Sequence, residues 1–472
     1  MATTARKSAR SARRLSPSER AAAGKAIRST VPRSSHAGWT PPPARRDPVG
    51  LLEEQSADRI PELVPIRYGR MSASPFAFFR GAGYVMASDL SETPQTGIRV
   101  QACGDAHLSN FGVFGSPDRS LVFDLNDFDE TLPGPWEWDI KRLAASISIA
   151  ARDREIPARG RSELADGAVG AYRDAMRRFA GMNTLDVWYS RFDERELPNL
   201  LPDIKRRQAK ELDAGAAKAM RKDSSRAFAK LALRVNGSAR IVPDPPLIVP
   251  IADLSTATPL DQKRAIGSLL EIYRASLSGD IRRLMERYEY ADAARKVVGV
   301  GSVGTRAWVV LLLGRDGDDP LFLQAKEATR SVLEPFTGKT EFKNQGRRVV
   351  EGQRLMQAAS DIFLGWLRAT DPDGRERDYY VRQLWDWKGS ADVATMRSSE
   401  LGAYARVCAW TLARAHARSG DAVGIAAYLG SSDSFARAIT KFAEDYADQN
   451  ERDYAALLEA IESGRVVAER GL

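Results

Sequence analysis

The amino-acid sequence predicts an α+β fold in which a β-rich unit lies between two mainly helical parts of the chain. Three apolar segments joined by turn residues lie between residues 296 and 328, which is typical of consecutive strands. The segments 160–230 and 261–290, and the chain from about residue 399, have apolar residues at helical spacing. An earlier segment, 97–131, alternates strand and loop patterns.

The composition is that of a globular protein with enough length for two or three structural units. The chain has 472 residues, of which 43% are hydrophobic and 28% are charged. It contains no run of about 18 apolar residues, so no membrane span is expected. Cys103 and Cys408, together with only three histidines, give no disulfide framework or zinc-binding spacing, and we expect a cytoplasmic protein.

The positive charge is concentrated at the N-terminus. Residues 1–46 contain eleven Lys or Arg residues and one acid, Glu19, whereas the rest of the chain has a net charge of −2. Because this segment is rich in Ala, Ser and Arg and ends in three prolines, we expect a disordered basic tail. The near-neutral body argues against a nucleic-acid-binding protein. The tail favours a solubilising segment, with an organelle transit peptide or a weak tether to nucleic acid or a membrane surface as alternatives.

The most informative motif is GDAHLSN, which follows an apolar strand pattern. Phosphoryl transfer needs the phosphates held, the metal charge placed and the acceptor hydroxyl oriented, and little covalent help from the protein. Asp105 is suited to accept the proton of such a hydroxyl, and His107 is suited to lie near the transferred phosphate. The amide oxygen of Asn110 is a suitable ligand for Mg²⁺. In isolation, the motif also fits a turn that is capped by its own Asp and Asn side chains.

An acid-rich segment, LVFDLNDFDE, follows about one strand later and supplies the carboxylates that a metal site needs. Asp127 is placed like the metal-binding aspartate of a D-F-x motif, while Asp124 directly follows the apolar run. The sequence does not separate the two, so both are candidate metal ligands. Asp129 and Glu130 come behind them. Asp139, at the start of a helical pattern, is suited to cap that helix and to brace the loop of Asp105.

A glycine-rich loop, VGVGSVG, lies far downstream of these acids, between two strand patterns. Glycines allow a backbone to approach phosphates closely, and exposed amides bind them. The candidate residues for this contact with ATP are Gly299, Gly301, Ser302 and Gly304. Because the loop joins two strands and not a strand and a helix, a dinucleotide-binding Rossmann site is disfavoured.

A lysine on the strand after this loop completes the candidate nucleotide site. Lys326 has apolar neighbours, and a charge in such a strand is costly unless it meets an anion, for which an ATP phosphate is suited. The alternative is an edge-strand lysine that extends to solvent. An active-site lysine needs a carboxylate from the next helix; Glu351 is the best placed, with Gln353 as an alternative.

With these motifs identified, the chain resembles the bacterial family DUF2252 from about residue 47 to about residue 457. The stretches that carry this resemblance include CGDAHLSNFG, VVGVGSVGTR, FLQAKEA and LARAHARSGD. A more distant resemblance is to aminoglycoside phosphotransferases and other protein-kinase-like enzymes, whose catalytic loop reads H-G-D-x-x-x-x-N. Gly104, Asp105 and Asn110 match that pattern, and Cys103 replaces its histidine.

The distant resemblance implies a two-lobed, protein-kinase-like fold with a mostly helical C-lobe. Kinases place the glycine loop and the lysine before the catalytic loop, whereas here they follow it, so we expect a circularly permuted fold. A structure with Lys326 far from both Asp105 and Asp127 would contradict this hypothesis. The predicted units are a disordered tail (1–46), a C-lobe-like unit with the catalytic loop and a helical insertion (47–290), an N-lobe-like nucleotide-binding unit (291–390) and a helical completion of the C-lobe (391–472).

The function predicted from these features is that of an ATP- and Mg²⁺-dependent phosphotransferase acting on an unknown small molecule or protein. The alternatives are a nucleotide-binding regulator without transfer activity and a kinase-like enzyme that transfers AMP. Asp105 argues against a pure regulator, because a binding module has no use for a proton acceptor. Arg67, Arg70 and Arg80 are suited to an anionic substrate, or equally to ion pairs within the protein.

Overall fold

Helices and strands are both abundant in the computed structural model of the chain, at 51% and 17% of the residues, which confirms the α+β class. The structure describes residues 15–192, 220, 224–235, 237–315, 317, 319–371, 374–384 and 386–472. The helical prediction for residues 193–219 and the first 14 residues of the predicted tail lie outside these ranges.

The helices and strands alternate irregularly along the described residues. The α-helices are, in chain order, α1 Pro17–Ala26, α2 Pro48–Ser56, α3 Val64–Met71, α4 Pro75–Gly81, α5 Gly83–Ser91, α6 Trp136–Arg152, α7 Ala158–Ala180, α8 Thr184–Tyr189, α9 Ser224–Leu231, α10 Ile251–Leu254, α11 Pro259–Arg274, α12 Gly279–Met285, α13 Glu334–Thr337, α14 Gln345–Met356, α15 Ser398–Ser419, α16 Ala422–Leu429 and α17 Ser434–Glu462. The strands are β1 Arg99–Ala102, β2 Phe111–Gly115, β3 Leu121–Leu125, β4 Leu132–Pro135, β5 Ala232–Val235, β6 Ser238–Ile241, β7 Ile248–Pro250, β8 Glu289–Lys296, β9 Ala307–Leu313, β10 Pro320–Glu327, β11 Gly365–Thr370, β12 Glu376–Gln383 and β13 Gly389–Ser390.

The largest sheet has six antiparallel strands in the order β11-β12-β10-β9-β8-β7. Side chains alternate between its two faces, so that Val309 and Phe322 pack in one core while Leu312 and Leu323 pack in another. Strands β9 and β10 confirm two of the three strands predicted between residues 296 and 328. The first of the three ends at Lys296, before the glycines, because the glycine-rich segment forms the connection to β9.

The sequence of residues 345–368 predicts a helix over the whole segment, and the C-terminal end of that prediction is wrong. Helix α14 ends at Met356, and Gly365 begins strand β11, which pairs with β12. A Cβ atom on Gly365 would lie 2.5 Å from the Ser276 hydroxyl oxygen, so this strand packs closely against the segment after α11. The pairing partner and the packing surface are both distant in sequence, which local patterns do not encode.

Helix α6 is the centre of the helical part of the molecule. Every residue from Trp136 to Ala151 is buried, as expected for a helix surrounded by α7, α15 and α17. The hydrophobic core around it includes residues from Trp39 to Ala447, so both ends of the chain build one core. No helix in the described part of the chain is long and apolar enough to span a bilayer.

Two small antiparallel sheets carry the loops of the GDAHLSN and LVFDLNDFDE motifs. Strands β1 and β4 form one pair, and β13, β2 and β3 form the other sheet in that order. Gly389 and Ser390 of β13 pair with Val113 and Gly112 of β2. This pairing ties the segment after the six-stranded sheet to the segment after the GDAHLSN motif.

The prediction of a disordered tail is wrong for residues 15–46, which we call the N-terminal strap. Helix α1 begins with a capping box between Ser16 and Glu19, and its Gly24 packs directly on Gly424 of α16. The basic side chains of the strap make specific contacts; for example, Arg33 donates a hydrogen bond to the Leu429 carbonyl at the end of α16. Composition suggested disorder because it does not reveal these partners, which lie about 400 residues away in the sequence.

Candidate functional site

A charged cleft lies where the loops after β1 and β3 meet the glycine-rich loop between β8 and β9. It encloses about 1100 Å³ including its open mouth. The predicted site residues that line it are Asp105, His107, Asn110, Asp127, Gly299, Gly301 and Ser302. Segments from the N-terminal third and from the central sheet therefore meet at one surface.

The loop of Asp105 is braced by Asp139, as the sequence predicted. The Asp139 carboxylate accepts hydrogen bonds from the backbone N–H groups of Cys103 (2.6 Å) and Gly104 (2.9 Å), and it lies 3.1 Å from His416 Nε2. Gly104 has a φ of +81°, and a Cβ atom there would lie 2.6 Å from the Glu130 carbonyl oxygen, so the turn requires glycine. Asp139 lies within the first turns of α6, which begins at Trp136, and so does not cap it.

Asp105 lines the cleft, and its two oxygens lie beside different neighbours in the protein. Its Oδ1 accepts a hydrogen bond from Arg142 Nε at 2.5 Å, and its Oδ2 lies 3.6 Å from His107 Nε2. Burial lowers the pKa of His107 to about 4, although the charge of Asp105 opposes this shift. His107 is therefore neutral at pH 7, and its Nδ1 has no hydrogen-bond partner among the described residues.

Asn110 and Asp127 present oxygen atoms that suit a hard cation. Asn110 donates through Nδ2 to the carbonyl oxygens of Asp105 (2.9 Å) and Asp127 (3.1 Å), which turns its Oδ1 away from them. Asn110 Oδ1 and Asp127 Oδ1 are both buried, and neither has a hydrogen-bond partner in the described part of the structure. Amide and carboxylate oxygens are the ligands of Mg²⁺, which is commonly held by one or two protein ligands plus substrate phosphates.

The described residues form no complete protein cage for a metal. Within the described ranges, no group of three or more His, Cys, Asp or Glu side chains is arranged to hold an ion. Asn110 and Asp127 therefore fit Mg²⁺ only in the mode in which bound phosphates supply further ligands.

Asp124, the second candidate metal ligand, does not reach the cleft. Its side chain is fully buried, forms an ion pair with Arg414, and accepts hydrogen bonds from the N–H groups of Leu125 and Ala358. Burial raises the pKa of Asp124, and Arg414 opposes that shift. Because side chains alternate along β3, the position after LVF points into the helical core, and Asp124 is a structural residue.

Lys326, on the central strand β10, does not itself line the cleft but lies behind it, against two acids that do. Its Nζ is 2.5 Å from Asp129 Oδ2 and 3.5 Å from Asp127 Oδ1, and the side chain is almost fully buried. Burial would lower the pKa of Lys326, but Asp127 and Asp129 raise it above its ordinary value, so the ammonium group stays charged. The charge of Lys326 is thus met by carboxylates of the protein itself, and its contact with an ATP phosphate stays a prediction.

The acid that Lys326 meets is not the predicted one. Glu351 lies on the same helix as Arg347, with 3.5 Å between Arg347 Nε and Glu351 Oε1, and it does not line the cleft. Gln353, the alternative, donates to Gln357 Oε1. Asp129 is the carboxylate partner of Lys326 instead, because the turn after β3 brings it next to β10. On helix α14, Glu351 lies beside Arg347 and not beside Lys326.

The glycine-rich loop covers one side of the cleft, with one exception. Gly299, Gly301 and Ser302 line the cleft, and the Ser302 hydroxyl donates to Asp129 Oδ2 at 3.2 Å. Gly304 lies outside it, where its carbonyl oxygen accepts a hydrogen bond from Ile60 and its φ of +88° requires glycine. Gly304 therefore determines the conformation of the loop, whereas Gly299, Gly301 and Ser302 line the cleft.

Several residues of the cleft were not assigned by sequence reasoning. Asp129 accepts hydrogen bonds from Lys326 and from the Tyr380 hydroxyl (2.7 Å), and burial raises the pKa of its neighbour Glu130 to about 7. Arg382 and Lys388 enter from β12 and from the segment before β13. The N-D-F-D spacing was a signal for Asp129, but no local pattern distinguishes Arg382 or Lys388 from surface cations.

The fold and the cleft define a class: an α+β protein with a glycine-lined, carboxylate-rich cleft whose buried lysine meets the acids of a distant loop. The chain belongs to the family DUF2252, described as an uncharacterized protein conserved in bacteria, whose family model matches residues 59–460. No curated protein and no solved structure shows significant similarity to the chain.

Proposed function

We propose that this protein is an ATP-dependent phosphotransferase that uses Mg²⁺. The observation that carries the proposal is the contact of Lys326 with Asp127 and Asp129, in the cleft that also contains Asp105, Asn110 and the glycine-rich loop. Phosphoryl transfer needs these parts: backbone amides and a cation for the phosphates, oxygen ligands for a metal, and an acid that orients the acceptor.

Each part of the cleft has a role in this proposal. Gly299, Gly301 and Ser302 approach the phosphates through their backbone, and the charged Lys326 pairs with them by exchanging a carboxylate partner for a phosphate oxygen. Asn110 and Asp127 hold Mg²⁺, which when bound neutralises charge on the phosphates.

Asp105 is the proton acceptor of the acceptor hydroxyl in this proposal. Asp105 lines the cleft, and the hydrogen bond from Arg142 to its Oδ1 fixes the orientation of the carboxylate. The brace from Asp139 holds the backbone on which Asp105 stands. A proton acceptor must be positioned before its basicity matters, and these contacts supply the position.

The order of the motifs supports a circularly permuted, kinase-like arrangement as part of the same proposal. The glycine-rich loop and Lys326 follow one another as in kinases, whereas the segments of Asp105 and Asp127, which come after them in kinases, come earlier in this chain. A large distance of Lys326 from both Asp105 and Asp127 would contradict a permuted fold. Lys326 Nζ lies 3.5 Å from Asp127 Oδ1, so that objection does not apply.

The proposal is tested by thermal unfolding of the full chain with and without Mg²⁺ and ATP. We expect wild type to gain about 2.7 kcal/mol at a nucleotide concentration of about 100 times the dissociation constant. Lys326→Met should lose most of this gain, because it removes the cation that pairs with the phosphates while keeping most of the side-chain volume. The measurement is the shift in Tm for each variant relative to its own nucleotide-free state.

The matched control is Lys441→Met, which changes an exposed lysine on α17 that pairs with Asp445. It should keep the full nucleotide effect. If wild type shows no shift at millimolar ATP, the phosphotransferase proposal is refuted. If the shift is present but Asp105→Asn leaves phosphate transfer unchanged, Asp105 is not the proton acceptor.

A further inference from the structure

One arginine of the cleft stands apart from the other charged groups there. Arg80, at the end of α4, lines the cleft and makes no hydrogen bond or ion pair with any described residue, and its Nε is buried. Burial lowers the pKa of Arg80, and the charges of Asp105 and Asp127 oppose this shift. A guanidinium nitrogen that is buried without a partner calls for an explanation, and an anionic ligand at this group supplies one.

The neighbouring charges of the cleft are already matched. Asp105 pairs with Arg142, Asp129 with Lys326, and Glu327 with Arg377 at 3.2 Å. The acids of the cleft therefore do not need Arg80 as their counter-ion. They also repel an incoming anion less than their number suggests, because each of these three has its own cation.

A second feature that favours an anion lies directly beside Arg80. Helix α5 begins at Gly83 and has no side-chain cap at its N-terminus, so its first N–H groups are without a capping side chain. Gly81 and Gly83 both line the cleft, and a Cβ atom on Gly83 would lie 4.0 Å from Asp105 Oδ1. The helix N-terminus is therefore next to the carboxylate that would orient the acceptor hydroxyl.

His107 provides the third, independent feature. Its side chain is about nine-tenths buried, lines the cleft, and has no hydrogen-bond partner for Nδ1 within the described ranges. A neutral imidazole can donate a hydrogen bond to an anion or accept one from a hydroxyl group. Arg80, the start of α5 and His107 thus surround Asp105 with groups that recognise an oxygen-rich, negatively charged molecule.

We propose that the acceptor is a small alcohol that also carries a carboxylate or phosphate group, which Arg80 binds beside the N-terminus of α5 while the hydroxyl lies at Asp105. This inference rests on the proposed phosphotransferase function. The hydroxyl oxygen forms a bond to the γ-phosphorus of ATP, the bond from that phosphorus to the β,γ-bridging oxygen breaks, ADP leaves, and the hydroxyl proton passes to Asp105.

The experiment compares binding of three anionic probes, D-glycerate, glycerol 3-phosphate and inorganic phosphate, with that of neutral glycerol, by calorimetry on the full chain. Arg80→Gln should weaken binding of the anionic probes about 10- to 100-fold, the range of one hydrogen bond to a charged group. The matched control is Arg159→Gln, an exposed arginine on α7 that should bind as wild type does. D-Glycerate and glycerol 3-phosphate separate a carboxylate preference from a phosphate preference.

ATP binding is measured on the same variants. The phosphotransferase proposal and the proposal of an anion site at Arg80 can then be refuted independently of each other. We expect Lys326→Met to lose ATP and keep the anionic alcohols, and Arg80→Gln to do the reverse. If Arg80→Gln weakens ATP and leaves the probes unchanged, Arg80 belongs to the nucleotide site and the inference is wrong. It is also wrong if none of the three anionic probes binds better than glycerol. If ATP fails to bind wild type but Arg80-dependent probe binding persists, the phosphotransferase proposal falls and the anion site stands.

Discussion

The acids of the segment LVFDLNDFDE show how single residues with the same chemistry acquire different roles. Asp124 lies on strand β3 and pairs with Arg414 in the core. Asp127 lies after the strand, with 45% of its side chain exposed and one oxygen without a hydrogen-bond partner among the described residues. Asp129 reaches Lys326. Position relative to the end of β3 decides which acid is structural and which faces the cleft.

This difference gives a prediction for two neighbouring isosteric substitutions. Asp124→Asn should lower the free energy of unfolding by about 3–5 kcal/mol, because it leaves the buried Arg414 without a counter-ion. Asp127→Asn should change stability by no more than about 1 kcal/mol, since Asp127 is partly exposed and Lys326 keeps Asp129 as a partner. Chemical denaturation of both variants measures the difference.

For the effect of Mg²⁺ on ATP binding, the order of the two substitutions should be reversed: Asp127→Asn should have the larger effect. Asp127→Asn should lose the Mg²⁺-dependent part of the stabilisation by ATP, whereas Asp124→Asn, studied below its Tm, should retain it. If Asp124→Asn removed the Mg²⁺ effect in a folded protein, our assignment of the metal ligands would be wrong.

At the scale of elements, the N-terminal strap turns a basic segment into a clamp on the helical part. Arg45 lies between Asp89 of α5 and Asp453 of α17, with Nε 2.8 Å from Asp89 Oδ1 and Nη2 2.6 Å from Asp453 Oδ2. The three side chains are nearly buried. The strap therefore joins the helix that begins beside the cleft to the last long helix of the chain.

Adjacent arginines of the strap allow a matched test of this clamp. Arg45→Met should lower the free energy of unfolding by about 3–5 kcal/mol, because it leaves Asp89 and Asp453 buried together without a cation. Arg46→Met should cost less than about 1 kcal/mol, because Arg46 pairs with Glu54 at the exposed surface. Equal stability of the two variants in urea denaturation would show that the strap does not clamp the helices.

Local sequence patterns located most elements around the loop of Asp105 but not the segments that pack against them. The two strands predicted within residues 97–131 are present as β1 and β3, and the helix that carries Asp139 is α6. Strand β2 was not predicted, and it begins inside the predicted loop. Strand β11 was missed because its pairing with β12 is a tertiary contact. The ordered structure of the N-terminal strap was not predicted, because it depends on contacts with α5, α16 and α17, which are distant in the sequence.

At the scale of the whole molecule, the cleft exists only because segments far apart in sequence meet. The loop of residues 104–110 and the loop of residues 299–305 are separated by the sheet and helices between them in the chain, yet both line one cleft. A ligand that bridges them should restrict both, because a ligand that binds only the folded state suppresses local opening of the segments it contacts.

Hydrogen exchange provides the test at this scale. Mg²⁺ and ATP should slow amide exchange in residues 104–110 and in residues 299–305 of wild type, and this protection should be lost in Lys326→Met. Helix α7, which has no residue in the cleft, is the internal control. Protection of the glycine-rich loop alone would mean that the nucleotide does not bridge the two loops, which would contradict the proposed site.

The sequence by itself determined the α+β class, the family, and seven of the residues that line the cleft, because motifs of polar residues and glycines at loop positions are encoded locally. Asp105, Asn110, Asp127 and Lys326 are recognisable from their neighbours. The tertiary structure decided which acid meets Lys326, that Asp124 is structural, that Glu351 lies elsewhere, and that Arg80 faces the cleft without a partner. These outcomes depend on the direction of side chains and on packing between distant segments, which the amino-acid pattern of one segment does not contain.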